Sequence, residues 1–173
     1  HFYPPTSLMQ SARTMLQGLL PACCALCGDS ACKDVLCDAC IAQFIHRHSV
    51  RCPVCAVTMA SSAANQICGA CMTEPPAFDA TVVACEYEPP VDHLVQDLKF
   101  HARLALAPMF GRLLAQSFKP HDIHADCITG VPLSAKRLAQ RGFNQAGEIA
   151  RSLSRHTGIA LRLQVCVRVR DTQ

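Results

Sequence analysis

A cysteine-rich double ribbon followed by a parallel α/β layer is the fold class that three features of this 173-residue sequence predict. Four Cys-x-x-Cys pairs, Cys24/Cys27, Cys37/Cys40, Cys52/Cys55 and Cys68/Cys71, follow one another with gaps of nine, eleven and twelve residues. Glu74-Pro75-Pro76 then reads as a linker. Beyond it, apolar runs of strand length alternate with segments of helical periodicity, the order expected of βαβ units.

The cysteine pairs carry the first argument. A Cys-x-x-Cys turn sets two thiolates on one side of a tight loop, and two such turns complete a tetrahedron around zinc. Eight cysteines therefore make two closed sites for structural Zn2+, with no coordination position left for catalysis. Sequential pairing puts Cys24, Cys27, Cys37 and Cys40 on one ion and Cys52, Cys55, Cys68 and Cys71 on the other. The rival is a cross-brace of the RING type, in which first and third pairs share an ion. Cys52-Pro53-Val54-Cys55 looks like the end of such a domain, but its Cys-x-His step is missing. His46 and His48 lie in a spacer that reads as a short helix, Ile41 to His48, and are assigned to its surface because eight thiolates saturate two ions. We favour the sequential arrangement. A segment this short buries little apolar surface, and structural zinc contributes on the order of 10–16 kcal/mol to such folds.

Composition narrows the setting. The thirteen cysteines are odd in number, and the apolar patch Leu16–Leu20 is broken by Gln17 and Gly18, so a secreted disulfide scaffold is not the expectation. No run approaches the ~20 apolar residues of a membrane helix. The expectation is a cytoplasmic protein without membrane insertion. Residues 1–98 carry four Lys/Arg against nine Asp/Glu, whereas residues 99–173 carry twelve against four. The basic second half points to an anionic partner, phosphate or nucleic acid. A start at His1 and a stop after an apparent strand read as a fragment of a longer protein.

In chain order, residues 1–6 form an extended tail. Ser7 is positioned to cap a helix carrying Leu8, Ala12, Met15, Leu16 and Leu19 on one face. After the cysteine module, Ala80–Tyr87 is rich in β-branched residues and reads as a strand. Pro89-Pro90 marks a turn. Val91, Leu94, Val95 and Leu98 define an amphipathic helix ending at Lys99 and Phe100. A second helix spans Leu104–Phe118, with Pro108 kinking it or opening its main segment. Cys127–Val131 has the character of a buried parallel strand. A loop from Val131 to Arg137 follows, then a helix capped by Asn144 and closed by Gly158, with Ala146, Ile149, Ala150 and Leu153 facing inward. The alternation from Leu161 to Val169 completes a strand. Cys85, Cys127 and Cys166, lying in strands, are expected to be small buried hydrophobes, while Cys23 and Cys32 are spare thiols near the first site. Phe100 and Phe143 are assigned to the core.

Ligands of parallel α/β sheets bind beyond the carboxyl ends of strands. The loop after Val131 is such a place, with Lys136, Arg137 and Arg141 preceding a helix N-terminus that favours anions. No Walker or Gly-x-Gly-x-x-Gly fingerprint accompanies it, so a solvated surface turn is an equal alternative.

Four Cys-x-x-Cys pairs, a strand ending in Tyr87, Leu98-Lys99-Phe100, Val131-Pro132-Leu133 and Arg141-Gly142-Phe143-Asn144-Gln145, in that order, resemble the ComF family. These late-competence or GntX-like proteins are related to amidophosphoribosyltransferases, and the resemblance covers about residues 20–171. After the helix and tail read over 1–22, it implies a double zinc ribbon over 23–73, and over 77–173 the first part of a type I phosphoribosyltransferase fold, truncated at its C-terminus. It further implies binding of phosphoribosyl pyrophosphate or pyrophosphate with Mg2+. Lys136, Arg137, Arg141 and Asn144 would then serve the pyrophosphate loop, with Lys99 as a substrate contact or the end of a surface helix. The acidic pair and ribose-phosphate loop of such transferases have no counterpart here, so this chain is expected to lack turnover. The family's association with competence also raises single-stranded DNA as a partner. A zinc-ribbon interaction module is the remaining alternative.

Overall fold

The computed structural model describes residues 23–29, 34–45, 49–119 and 124–170. The expected helix after Ser7, Cys32, His46 and His48 lie outside them. The chain forms two compact units divided after Gln43.

In the first unit, the Cys24–Cys27 turn is closed by the Gly28 amide donating to the Cys24 carbonyl at 2.9 Å. Gly28 holds a φ of 75° there, the left-handed conformation that such a turn requires. The second arm begins at Cys37, which caps a single helical turn, α1 (Asp38–Cys40). The helix continues as a wider π-type turn over Ile41–Ile45, and the rest of the expected Ile41–His48 helix lies outside the described residues. Cys24, Leu36 and Cys40 are buried.

The second unit opens on the same device. Ala56 donates to the Cys52 carbonyl at 2.9 Å and takes the place of Gly28, with φ at 59°. An antiparallel bridge between Arg51 and Thr58 closes the knuckle. Cys68 precedes α2 (Gly69–Thr73), which carries the buried Cys71.

Three longer helices form the rest. α3 (Val91–Phe100) buries Val91, Leu94 and Leu98, as its periodicity predicts. α4 (Leu106–Phe118) buries Leu106, Met109, Phe110 and Leu113, each such side chain removing roughly 1.5–3 kcal/mol worth of apolar surface from water. It begins two residues later than expected, leaving Leu104 exposed. Pro108 opens the helix instead of kinking it, because the first-turn N–H groups have no acceptor to lose. α6, named below, packs mainly on α4. Their seam is tight: a Cβ on Gly111 would lie 2.3 Å from Cβ of Ser152. The Ser152 hydroxyl donates to the Pro108 carbonyl at 2.9 Å.

Four expectations are corrected. Ala80–Tyr87 is irregular backbone, because β-branched composition favours extension but a strand also needs a ladder partner. The expected Cys127–Val131 strand is reduced to β1 (Cys127–Ile128). The loop after Val131 contains a helix, α5 (Ala135–Arg141), whose Ser134 cap accepts from the Arg137 amide and whose Gly142 stop sits at φ 75°. α6 (Gln145–Thr157) follows, capped by Asn144 and stopped by Gly158 as expected. On it Ala150 is buried, while Ala146, Ile149 and Leu153 are half-buried. The strand expected over Leu161–Val169 is confined to β2 (Ala160–Leu161), and Val165, Val167 and Val169 are exposed. β1 and β2 pair in parallel, Cys127 with Ala160 and Ile128 with Leu161, and one more bond runs from Arg162 N–H to Ile128 C=O at 2.8 Å. A helical region with a small parallel sheet thus follows the cysteine modules. Gly130 brings the end of β1 against the start of α6, where a Cβ would meet the Gly147 nitrogen at 2.8 Å.

Single residues also depart from expectation. Phe100 is 67% exposed and is not core, and Phe143 is half-buried. Cys85 and Cys127 are half-buried, but Cys166 is exposed, because the strand meant to bury it ends at Leu161.

Candidate functional site

Both cysteine groups gather sequentially. The sulfurs of Cys24, Cys27, Cys37 and Cys40 lie within 4.8 Å of one another, and so do those of Cys52, Cys55, Cys68 and Cys71. Zinc–sulfur bonds of ~2.3 Å in a regular tetrahedron place sulfurs ~3.8 Å apart. The Cys27–Cys37 and Cys55–Cys68 separations are 3.7 and 3.6 Å, so both cages fit zinc. Backbone amides complete the match. Cys37 N–H points at the Cys24 sulfur and Cys68 N–H at the Cys52 sulfur, each at 3.4 Å. Such donors stabilise thiolate charge and orient the ligand.

The thiols respond in opposite senses. Burial pushes Cys24 up, but the amides of Cys27, Cys37 and Leu26 outweigh it and bring the thiol down to about 6. The Cys68 and Cys55 amides likewise bring Cys52 down to about 6. Burial and then the neighbouring sulfurs raise Cys71 to about 12, and the same causes raise Cys40. Four sulfurs held this close cannot all carry charge without a cation among them.

The cationic residues meet elsewhere in the second unit. A cleft of about 880 Å³ has a floor of Val91, Val95, Leu98, Phe110, Leu114 and Ile149. Lys99, Arg137, Arg141, Asn144 and Arg168 line it as well. Residues Ala84 to Tyr87 supply one wall. Four of the five sequence-predicted side chains are thus brought together. Lys136, exposed on α5, is not among the lining residues.

A hydrogen bond of the side chain or of the backbone fixes each of the four residues. Asn144 accepts from the Ala146 amide at 3.1 Å and donates to the Val131 carbonyl at 3.0 Å, tying the loop after β1 to the start of α6. Arg141 donates to the Gln145 amide oxygen at 3.3 Å, and its guanidinium sits 5.4 Å from the centre of the Phe100 ring. Buried Gln145 donates in turn to the Lys99 carbonyl at 3.4 Å, joining the end of α3 to the start of α6. Arg137 is fixed through its amide to the Ser134 hydroxyl at 3.3 Å. Arg168 donates to the Pro132 carbonyl at 3.2 Å.

Sequence reasoning missed Gln145, Arg168 and the exposure of Phe100. Gln145 had a signal, since it directly follows a capping Asn and stands in the first turn of a helix. Arg168 had none, because it was assigned to a regular strand. Nor did the sequence mark Ala84–Tyr87 as a wall.

Two cysteine cages that could hold zinc, and a cleft lined by cations in the helical region with its small parallel sheet, are the candidate sites of this chain. The DNA utilization protein YhgH of Salmonella typhimurium is 32% identical over 142 residues, 79% of this chain and 61% of that protein. YhgH of Escherichia coli K12 is 34% identical over 113 residues, 60% of this chain and 47% of that protein. Competence protein F of Haemophilus influenzae is 30% identical over 112 residues, 62% of this chain and 49% of that protein. These homologues support a ComF-family relationship for the chain. The chain spans about half to three fifths of the length of these curated relatives. No family model matches the sequence, and no solved structure matches it. Among the described residues no helix is long and apolar enough to cross a membrane.

Proposed function

We propose that the cleft binds pyrophosphate or phosphoribosyl pyrophosphate, the latter with Mg2+, and that residues 77–170 belong to a type I phosphoribosyltransferase fold. The observation that carries this reading is the convergence of Lys99, Arg137, Arg141 and Asn144 on one cleft at the carboxyl side of β1. Parallel pairing of β1 with β2 across α5 and α6 supports the fold assignment. Guanidinium groups suit phosphate because their N–H pairs match its oxygens, and the start of α6 adds the favourable end of a helix dipole. An apolar floor beneath them lowers the local dielectric and strengthens each charge contact. The names of the relatives, DNA utilization protein and Competence protein F, support a link between this binding and the handling of DNA. Binding is the activity proposed for this chain; turnover is not.

Calorimetric titration of the zinc-loaded protein with pyrophosphate tests the reading. Saturable 1:1 binding is expected, and Arg141→Ala should weaken it at least tenfold, since a charge-assisted contact to phosphate contributes ~1.5–3 kcal/mol. Unchanged affinity in Arg141→Ala would remove the cleft from consideration. Single-stranded DNA is the second reading, favoured by the exposure of Phe100 and Tyr87 beside these cations. It predicts a steep, linear loss of log affinity with log salt and roughly equal contributions from many Lys and Arg residues.

A further inference from the structure

The cationic cleft contains one carboxylate. Glu86 lies in its wall, between Cys85 and Tyr87, and its side chain is about one-fifth exposed. A carboxylate in a site for anions opposes binding unless something cancels it. Arg51 makes an ion pair with the Glu86 carboxylate, and the Ser49 hydroxyl donates to the same oxygen at 2.9 Å. Arg51 belongs to the second cysteine knuckle. Its other guanidinium nitrogen donates to the Ala56 carbonyl at 2.6 Å, and its backbone bridges to Thr58. The guanidinium is therefore fixed by the turn that also presents Cys52 and Cys55.

We infer that Arg51 is a positioning residue for the cleft, which cancels the Glu86 charge, so that anion affinity depends on an intact second knuckle. This rests on the reading of the cleft as an anion site. It gives the second cysteine cage a task beyond its own stability. An exposed ion pair contributes little to stability, but a partly buried one beside a ligand site alters the local potential directly.

The test is a double-mutant cycle on the zinc-loaded 173-residue chain, read by calorimetric titration with sodium pyrophosphate, with zinc content and circular dichroism measured for every variant. Arg51→Ala should keep two zinc ions and bind roughly fivefold more weakly, because it frees a negative charge in the cleft. Adding Glu86→Gln to it should restore affinity to about the wild-type level, and Arg51→Lys should lose less than Arg51→Ala. Glu86→Gln alone should bind more tightly than wild type, because it leaves the Arg51 charge uncancelled beside the anion. High salt should shrink the Arg51→Ala deficit. Wild-type affinity in Arg51→Ala would overturn the inference, and so would a double variant as weak as Arg51→Ala. If Arg51→Ala fails to fold, Glu86→Gln decides alone: binding no tighter than wild type overturns the inference. Pyrophosphate binding that is absent, or indifferent to Arg141→Ala, would instead remove the anion reading, and this inference with it.

Discussion

Asp97 illustrates how single residues at the end of α3 are tuned. Arg103 donates to one of its oxygens at 2.9 Å and His101 lies 3.0 Å from the other. Hydrogen bonds from Arg103 and then His101 hold its carboxyl below the ordinary 3.8. A depressed folded value means that the stabilisation is complete above 3.8 and fades as the pH falls toward the folded value. The expected outcome is that Asp97→Asn lowers thermal stability at neutral pH and converges with wild type in strong acid, checked by melting curves across that range. Phe100 is the other instructive residue. Its sequence context, beside Lys99 at the end of an amphipathic helix, assigned it to the core, yet its ring is exposed and packs on the Arg141 guanidinium. Apolar type alone does not decide burial at a helix end, because the last turn can leave the packed face.

Helices were legible in the sequence and strands were not. The 3.6-residue periodicity of α3 and α4, the Asn144 cap and the Gly158 stop are local signals, complete within a few residues. α5 carries the same signals, Ser134 before it and Gly142 after it, but its 7 residues are too few to show a periodicity. A strand is defined by its partner, and neither Ala80–Tyr87 nor Arg162–Val169 could reveal from composition that its ladder was missing or short. At the α4–α6 seam the glycine at 111 is dictated by contact and not by a backbone angle. Gly111→Ala should destabilise by about 1–3 kcal/mol through overpacking against Ser152. Urea denaturation should show that loss. Adding Ser152→Gly should recover part of it, since the two sites touch.

For the whole molecule, metal is the first experimental question. The sulfur spacing in both cages fits zinc, so the purified chain should carry two zinc ions, measured by elemental analysis. Chelation should expose eight thiols to reagent and collapse the circular dichroism of the cysteine-rich part, because folding there is coupled to the ion. Spacing favoured sequential pairing without excluding a cross-brace, and the structure agrees with the sequential arrangement. The cleft was only half legible. Spacing identified the cations around Val131–Asn144, but their joining to Lys99 through Gln145 depends on tertiary packing across 46 residues.

Sequential cages have a consequence for synthesis. The first set of ligands is complete once Cys40 has emerged from the ribosome, and the second needs only the stretch from Cys52 to Cys71. Neither ion waits for distant chain, so loading follows the direction of translation and each capture is an independent event. Released chains truncated between Cys40 and Cys52 should already carry one equivalent of zinc, measured by elemental analysis. An interleaved arrangement would show none.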